Sequence, residues 1–378
     1  MEQNKIFYFD NASTTIVNPE VLDAYNKAKT QFFANPSSIH GLGQEANRLL
    51  EKARQQILAT LNVKDDDLIF TSGATEANNL AIKGYAFRYR NRGNHIIVSK
   101  IEHPSVLETV KQLEECFNYQ VTYLPVNERG VVEVETLKKA IRKDTILVSI
   151  MAVNNEIGVI NPIHEIAMLL KDYPLIALHV DATQAIGKIK LPLNEVDMFS
   201  FSGHKIHGLN SSGCLIKKKK IELLSLLNGG GQENGLRSGT NDLALAVSLA
   251  KAVRLEYENL DKNYAKVLQI AEKLKNFVKN HDDLFELNSG DNPYIVNFSL
   301  KNKKASVVVE ALSSNGIMVS SVSACKAKEE AMSYVVKALG KNDTLAHNTI
   351  RVSFCEDNTL EEVDVFIKKL MDIVEAVK

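Results

Sequence analysis

Four apolar runs in this sequence are each followed by residues able to do covalent or acid–base chemistry. Leu68-Ile69-Phe70-Thr71 leads into Ser72-Gly73-Ala74-Thr75-Glu76, small residues and hydroxyls ahead of a helical pattern. A helix start of this kind offers unpaired N–H groups and the positive end of the helix dipole to a phosphate. A plain Ser/Thr helix cap accounts for the same residues. The run Leu175 to Val180 ends in Asp181, with Gln184 one helical turn later. A carboxylate at the tip of a buried strand is costly without a cation or donors; a protonated heterocyclic nitrogen would supply one, and a cap for the next helix is the simpler use. Phe199-Ser200-Phe201-Ser202 ends in Gly203-His204-Lys205, placing a lysine where it could form a Schiff base if its pKa is lowered. Taken alone, such a lysine is more often exposed. His95–Ser99 leads to Glu102-His103-Pro104, which sets an imidazole just before a helix.

These residues share one geometry if the runs are strands of a single parallel sheet. Strands are expected at Leu68–Thr71, His95–Ser99, Val121–Leu124, Thr145–Ala152, Leu175–Val180, Asp197–Ser202 and Gly213–Lys217. Helix-length segments separate several of them, at Ala74–Tyr89, Pro104–Cys116, Val134–Ile141 and Ile163–Leu170. Apolar strands alternating with helices require crossovers and a mostly parallel sheet covered on both faces. Ligands then bind beyond the carboxyl ends of the strands. A phosphate cradle, an acid for a ring nitrogen, a strand-tip lysine and an aromatic ring all fall on that edge. Together they suit pyridoxal phosphate, whose ring is an electron sink for a carbanion. After Thr240 a long helical stretch runs to about Asn280. A smaller α+β region follows, with strands near Tyr294–Ser299, Ile317–Ser320 and Thr349–Phe354 and a last helix from Leu360.

The bulk composition sets the remaining limits. A chain of 378 residues suits two packed domains. With 45 basic and 46 acidic residues the net charge is near zero, so neither nucleic acid nor a strongly charged surface is an expected partner. The Lys217–Lys220 run reads as a solvated turn or strand end. No apolar stretch reaches the roughly 20 residues that cross a bilayer, and the N-terminus lacks the pattern of a signal peptide. Four cysteines without paired spacing argue against disulfides or a metal cluster and point to a reducing cytoplasm. Cys116, Cys214 and Cys355 read as buried structural thiols.

At these residues the sequence resembles the cysteine desulfurases, in the class V branch of fold-type I pyridoxal-phosphate enzymes. The likeness runs from Tyr8-Phe9-Asp10-Asn11-Ala12-Ser13-Thr14-Thr15 to about Phe354. It includes Asn35-Pro36-Ser37-Ser38 with His40, Ser72 to Glu76, Glu102-His103 and Val153-Asn154-Asn155-Glu156-Ile157-Gly158. His179 to Gln184, Ser202 to Lys205 and Arg237-Ser238-Gly239-Thr240 complete the set. The resemblance implies an α/β fold-type I transferase: a large domain over residues 16–260 with a mostly parallel seven-stranded sheet, and a small α+β domain from 1–15 and 261–378.

It also implies roles. Lys205 would carry the cofactor and Asp181 pair with the pyridine nitrogen, with His103 stacked on the ring. Asn154 and Gln184 would contact the ring-oxygen side, and Asn154 would also meet substrate. Ala74, Thr75, Ser202 and His204 would hold the phosphate, and Thr240 would reach the phosphate of a neighbouring subunit in a homodimer. Arg351 would fix the substrate carboxylate through its bidentate fork.

Cys325, in Ser320-Ser321-Val322-Ser323-Ala324-Cys325, corresponds to the family's nucleophile in the subgroup with a longer loop. The implied reaction starts when L-cysteine displaces Lys205 and loses its Cα proton. The Cys325 thiolate then attacks the substrate sulfur, leaving alanine and a persulfide. Val322 stands where the family has glycine, residues 326–330 are more charged than usual, and Gly208-Leu209-Asn210-Ser211-Ser212 replaces a Pro-Lys-Gly turn. The rival readings are another pyridoxal-phosphate reaction (transamination, β-lysis or selenocysteine cleavage) and a non-catalytic assembly partner. The expected sulfur acceptor is an iron–sulfur scaffold or a tRNA-thiolation enzyme. The chain's end soon after the last helix, without the extension that docks a scaffold in many relatives, tilts this toward the second.

Overall fold

The computed structural model describes residues 6–321 and 332–376. Its strands are β1 (Phe7–Tyr8), β2 (Asp67–Thr71), β3 (His95–Ser99), β4 (Gln120–Leu124), β5 (Thr145–Ser149), β6 (Ala177–Asp181), β7 (Met198–Ser202), β8 (Gly213–Lys217), β9 (Phe285–Leu287), β10 (Ile295–Leu300), β11 (Ile317–Met318), β12 (Ser320–Ser321) and β13 (Thr349–Ser353). The helices that matter here are α1 (Pro19–Gln31), α2 (Gly41–Thr60), α3 (Ala74–Arg88), α4 (Pro104–Phe117), α5 (Val134–Ala140), α6 (Ile163–Leu170) and α7 (Leu243–Asn280).

Strands β2 to β8 form one seven-stranded sheet in the order β2-β8-β7-β6-β5-β3-β4. Only β8 runs against the others. Side chains of alternate strand residues go to opposite faces, and both faces are apolar. Ile97, Val148, Leu178 and Phe199 pack toward α2, α6 and α7. Ile96, Leu147, Ala177 and Met198 pack toward α3 and α4. That is why these strands read as continuous apolar runs. A second core joins Phe9, Val267, Ile270, Leu274, Phe298, Val352 and Phe366. The antiparallel sheet β12-β13-β10-β9 lies within it. Helix α7, about 57 Å long at 1.5 Å per residue, buries Leu243 to Val253 in the first core and Val267 to Val278 in the second.

The observed elements differ from the expected ones in informative ways. The run expected as a strand to Ala152 is regular strand only to Ser149, but Ile150 N and Ala152 N still donate to His179 O and Asp181 O on β6 before the chain bends into the isolated bridge Val153–Ile160. Helices α1 and α2, ahead of the first expected strand, start on side-chain caps from Asn18 and His40 and pack on α7. Lys217 is not solvated. It is buried and paired with Asp67 at 2.7 Å, while Lys218 reaches Asn194 O and Lys220 pairs with Asp197. Cys116 is exposed rather than buried. The inward place on the last turn of α4 is taken by Phe117, whose ring lies tilted against Phe87 with centroids 5.0 Å apart.

Candidate active site

The carboxyl ends of the central parallel strands and the N-terminal segment enclose a cavity of about 330 Å³. Ala74, Thr75, His103, Asp181, Gln184, Ser202, His204, Lys205 and Arg351, all singled out from sequence, line it together.

The cradle is built by close backbone approach. Gly213 on β8 lies against Gly73, and a Cβ there would sit 2.6 Å from Gly73 Cα. Gly73 itself has a φ of +146° and leaves α3 without a side-chain cap of its own. Ser202 Oγ, from the end of β7, accepts from Ala74 N at 2.7 Å instead. Hydroxyls and helix-start N–H groups therefore converge at one corner of the cavity.

Lys205 follows on the next turn. Its Nζ donates to Ala12 O at 2.7 Å and to Ser13 O, and among the described residues no carboxylate pairs with it. Burial, reinforced by the positive charges of Lys188 and Arg351, pushes its pKa down to about 7. The amine is thus half neutral near pH 7. His204 is likewise driven to about 4 by burial and by Lys205.

Asp181 ends β6 as a buried carboxylate with fixed lone pairs. Asn78 Nδ2 donates to its Oδ2 at 2.8 Å, and Thr183 N donates to its Oδ1 at 3.0 Å. Asn78 also reaches Ser105 Oγ at 2.9 Å, and Ser105 Oγ lies 2.8 Å from His103 Nδ1. His103 caps α4 through that same nitrogen, which accepts from Ser105 N at 3.1 Å. Burial lowers its pKa. Behind Asp181, His179 bridges Ser149 Oγ at 2.8 Å and Ser200 Oγ at 3.1 Å, and Ser200 donates to Asn78 Oδ1. Polar residues at buried strand positions were the only sequence signal for this relay.

Gln184 Nε2 donates to Ala12 O at 2.9 Å, and its Oε1 accepts from Lys188 Nζ at 2.9 Å. Arg351 reaches in from β13. Its guanidinium donates to Asn155 O at 2.8 Å, Asp10 Oδ1 at 3.0 Å and Ser13 Oγ at 2.7 Å.

Two expected residues lie elsewhere in the chain. Asn154 is fully buried away from the cavity: its Nδ2 donates to Ile101 O at 2.8 Å, and its Oδ1 accepts from Glu156 N and Ile157 N. The tight turn that it braces points the neighbouring Asn155 into the cavity instead. Thr240 lines a separate groove with Phe33, Asn35 and Asp242. Cys325, Val322 and residues 326–330 lie outside the described residues. Sequence reasoning also missed Asn78, Ser105, Met151, Asn155 and Thr183.

Three polar atoms of cavity-lining residues are buried without a partner: Asn155 Oδ1, Thr183 Oγ1 and Arg351 Nε. Each costs free energy unless something polar meets it. A polar ligand with both acceptors and donors answers that need, an acceptor for Arg351 Nε and a donor for Asn155 Oδ1, and a family comparison says which. The model of the class-V aminotransferases matches residues 7–366.

The chain belongs to the class-V aminotransferases. Within this family it groups with the cysteine desulfurases. A NifS/IscS-type homologue from Lactobacillus delbrueckii subsp. bulgaricus is 44% identical, with 97% of each chain covered. The cysteine desulfurase IscS of Dictyoglomus turgidum is 38% identical over 98% of this chain and 95% of its own length. A solved NifS-like protein superposes with a TM-score of 0.91 at 37% identity, covering 99% of this chain and all of that one. Class-V aminotransferases use pyridoxal 5′-phosphate, and the donor set fits it. A buried lysine with a lowered pKa, a fixed carboxylate, a flat imidazole and a hydroxyl-lined helix start are what an aldehyde, a pyridine nitrogen, an aromatic ring and a phosphate require.

Proposed function

We propose that this chain converts L-cysteine to L-alanine and takes the sulfur onto Cys325 as a persulfide. The observation that carries the reading is Lys205: an amine with a pKa of about 7, aimed from a strand tip into a cavity with a buried carboxylate opposite and a guanidinium at its edge. Ala74, Thr75, Ser202 and His204 would hold the cofactor phosphate and Asp181 its pyridine nitrogen. Gln184 and Asn155 would meet the ring-oxygen side, His103 the ring face, and Lys205 would carry the aldehyde carbon. Bound there, the cofactor supplies the electron sink that makes the substrate Cα–H acidic.

The chain's own groups do the rest. Arg351 grips the substrate carboxylate through its fork and so fixes where Cα lies. Lys205 Nζ, neutral once displaced, accepts the Cα proton. The carbon–sulfur bond of the substrate breaks and a sulfur–sulfur bond forms on Cys325. The thiol plus cysteine thus gives a persulfide plus alanine, with no outside oxidant.

The finer assignments are also ours. A homodimer is supported by Thr240, which a second copy would bring to a phosphate, and by the exposed apolar Phe33 beside it. An iron–sulfur scaffold or a tRNA-thiolation enzyme fits as acceptor, since a persulfide hands on neutral sulfur to any thiolate. The two cores support the division into a large domain, 16–260, and a small one, 1–15 with 261–378. Unpaired Cys116, Cys214 and Cys355 support a reducing cytoplasm. No helix among the described residues is long and apolar enough to cross a membrane.

The test is alanine formation from L-cysteine by the purified protein with a thiol reductant present. Turnover in the native chain, lost in Cys325→Ser with the cofactor absorbance intact, is the expected result. Alanine formed equally well by Cys325→Ser would sink the persulfide step and favour a β-lyase.

A further inference from the structure

Behind the turn that bears Lys205 lies a cluster that the desulfurase reading leaves unused. His207, Cys355 and Glu356 each offer a ligand atom, and these atoms all lie within 4.8 Å of one another. His207 Nε2 is 3.6 Å from Glu356 Oε2. His207 and Cys355 are buried, while Glu356 keeps an edge toward solvent. Cys355 follows β13 and is a free thiol.

The setting of the imidazole decides what the cluster suits. His207 Nδ1 lies 2.8 Å from Ile16 O. A carbonyl only accepts, so Nδ1 carries a hydrogen and Nε2 is the atom turned to Cys355 and Glu356. Metal-binding histidines donate their second ring N–H to a carbonyl or carboxylate in this way, which fixes both tautomer and ring. The backbone is pinned as well. His207 holds a left-handed φ of +55°, its N–H donates to Thr15 Oγ1 at 2.8 Å, and its carbonyl accepts from Asn18 N at 2.9 Å. On the other side, Asn358 Oδ1 accepts from Cys355 N at 3.0 Å, and Lys266 donates to Glu356 O. Three ligand atoms are thus held within 4.8 Å of one another by backbone that is already tied down.

We propose that His207, Cys355 and Glu356 bind a divalent transition-metal ion of the zinc class, with water in the fourth place. One nitrogen, one sulfur and one oxygen form a borderline-soft set that suits zinc and excludes magnesium and calcium. On binding, the Cys355 thiol proton and any proton at Nε2 are released to solvent, the thiolate stays as ligand, and no electron moves. The ion joins the turn two residues beyond Lys205 to the segment four residues beyond Arg351. It therefore staples the lysine-bearing side of the active site to the arginine-bearing side. The site stands independently of the desulfurase activity.

The test uses the holoenzyme carrying Cys116→Ser and Cys325→Ser, so that the exposed thiol and the proposed nucleophile cannot contribute. After exposure to zinc sulfate and gel filtration, elemental analysis is expected to find one zinc per chain. X-ray absorption at the zinc edge should show one sulfur neighbour at about 2.3 Å among lighter atoms. Adding Cys355→Ser or Glu356→Gln should weaken retention at least about tenfold. Glu356→Gln lies at the solvent edge and keeps the result separate from any folding defect at the buried positions. Zinc that is not retained, is retained without a sulfur neighbour, or is retained equally by both variants would overturn the proposal.

Discussion

Asn78 Nδ2 donates to Asp181 Oδ2 at 2.8 Å, tying the first turns of α3 to the tip of β6. The same amide takes the Ser200 hydroxyl on its oxygen, so it cannot flip without losing both bonds. Asn78→Ala leaves Asp181 with Thr183 N alone and frees it to turn. The loss of one charge-assisted bond, about 1.4 kcal/mol or tenfold, should appear in the dissociation constant for pyridoxal phosphate, measured by absorbance titration of the apoenzyme. Unchanged affinity in a folded variant would mean that Asp181 is held by its strand and not by this amide.

The low pKa of Lys205 has a direct chemical readout. In the apoenzyme the neutral amine should dominate above about pH 7, whereas an ordinary lysine needs a pH above about 10.4. Labelling with an amine-selective reagent, followed by peptide mass spectrometry across pH, should give half-maximal reaction at Lys205 near 7. A midpoint near that of the surface lysines would show that the two carbonyls hold an ammonium.

Arg351 makes three hydrogen bonds through a planar fork, which a lysine cannot reproduce. Arg351→Lys should raise KM for L-cysteine roughly 100-fold, about 3 kcal/mol, with a smaller change in kcat. Steady-state alanine formation separates the two constants. A fall in kcat at constant KM would instead place Arg351 in the chemical step.

Glu102, next to His103, is fully buried. Its Oε1 accepts from Ser99 Oγ at 2.5 Å and Met151 N at 3.0 Å, and its Oε2 has no partner. Burial pushes its pKa up to about 8. The folded state therefore holds a proton that the unfolded chain releases above about 4.3. Stability from this group is full below that value and is lost as pH rises to about 8. In urea unfolding, Glu102→Gln should flatten the decline over that window and be the more stable form at pH 9. An unaltered pH profile would contradict the buried neutral carboxyl.

The sheet and most of its edge were legible because strand tips carry residues too polar for a core, and the alternation of elements puts those tips together. Two kinds of residue were not legible. Asn154 and Asn155 are chemically identical neighbours, and only the turn braced by Asn154 decides which one faces the cavity. Asn78, Ser105 and His179 act through partners on other strands, which sequence spacing does not reveal. Cys116 misled because helical periodicity allows either of two adjacent residues to face inward on the last turn of α4, and Phe117 takes that place.

The N-terminal segment pairs with the far end of the chain. Phe7 and Tyr8 align with Ile317 and Met318, and Asp10 bridges Ser353. Ala12 and Ser13, whose carbonyls hold Lys205, hang from that pairing. During synthesis these residues are made before the seven-stranded sheet, and the strands that fix them, β11 and β13, are made after it. Contacts of such long sequence separation form late. The seven-stranded sheet can assemble on the nascent chain before β11 and β13 exist, so the carbonyls of Ala12 and Ser13 reach Lys205 only after the scaffold that carries it has formed.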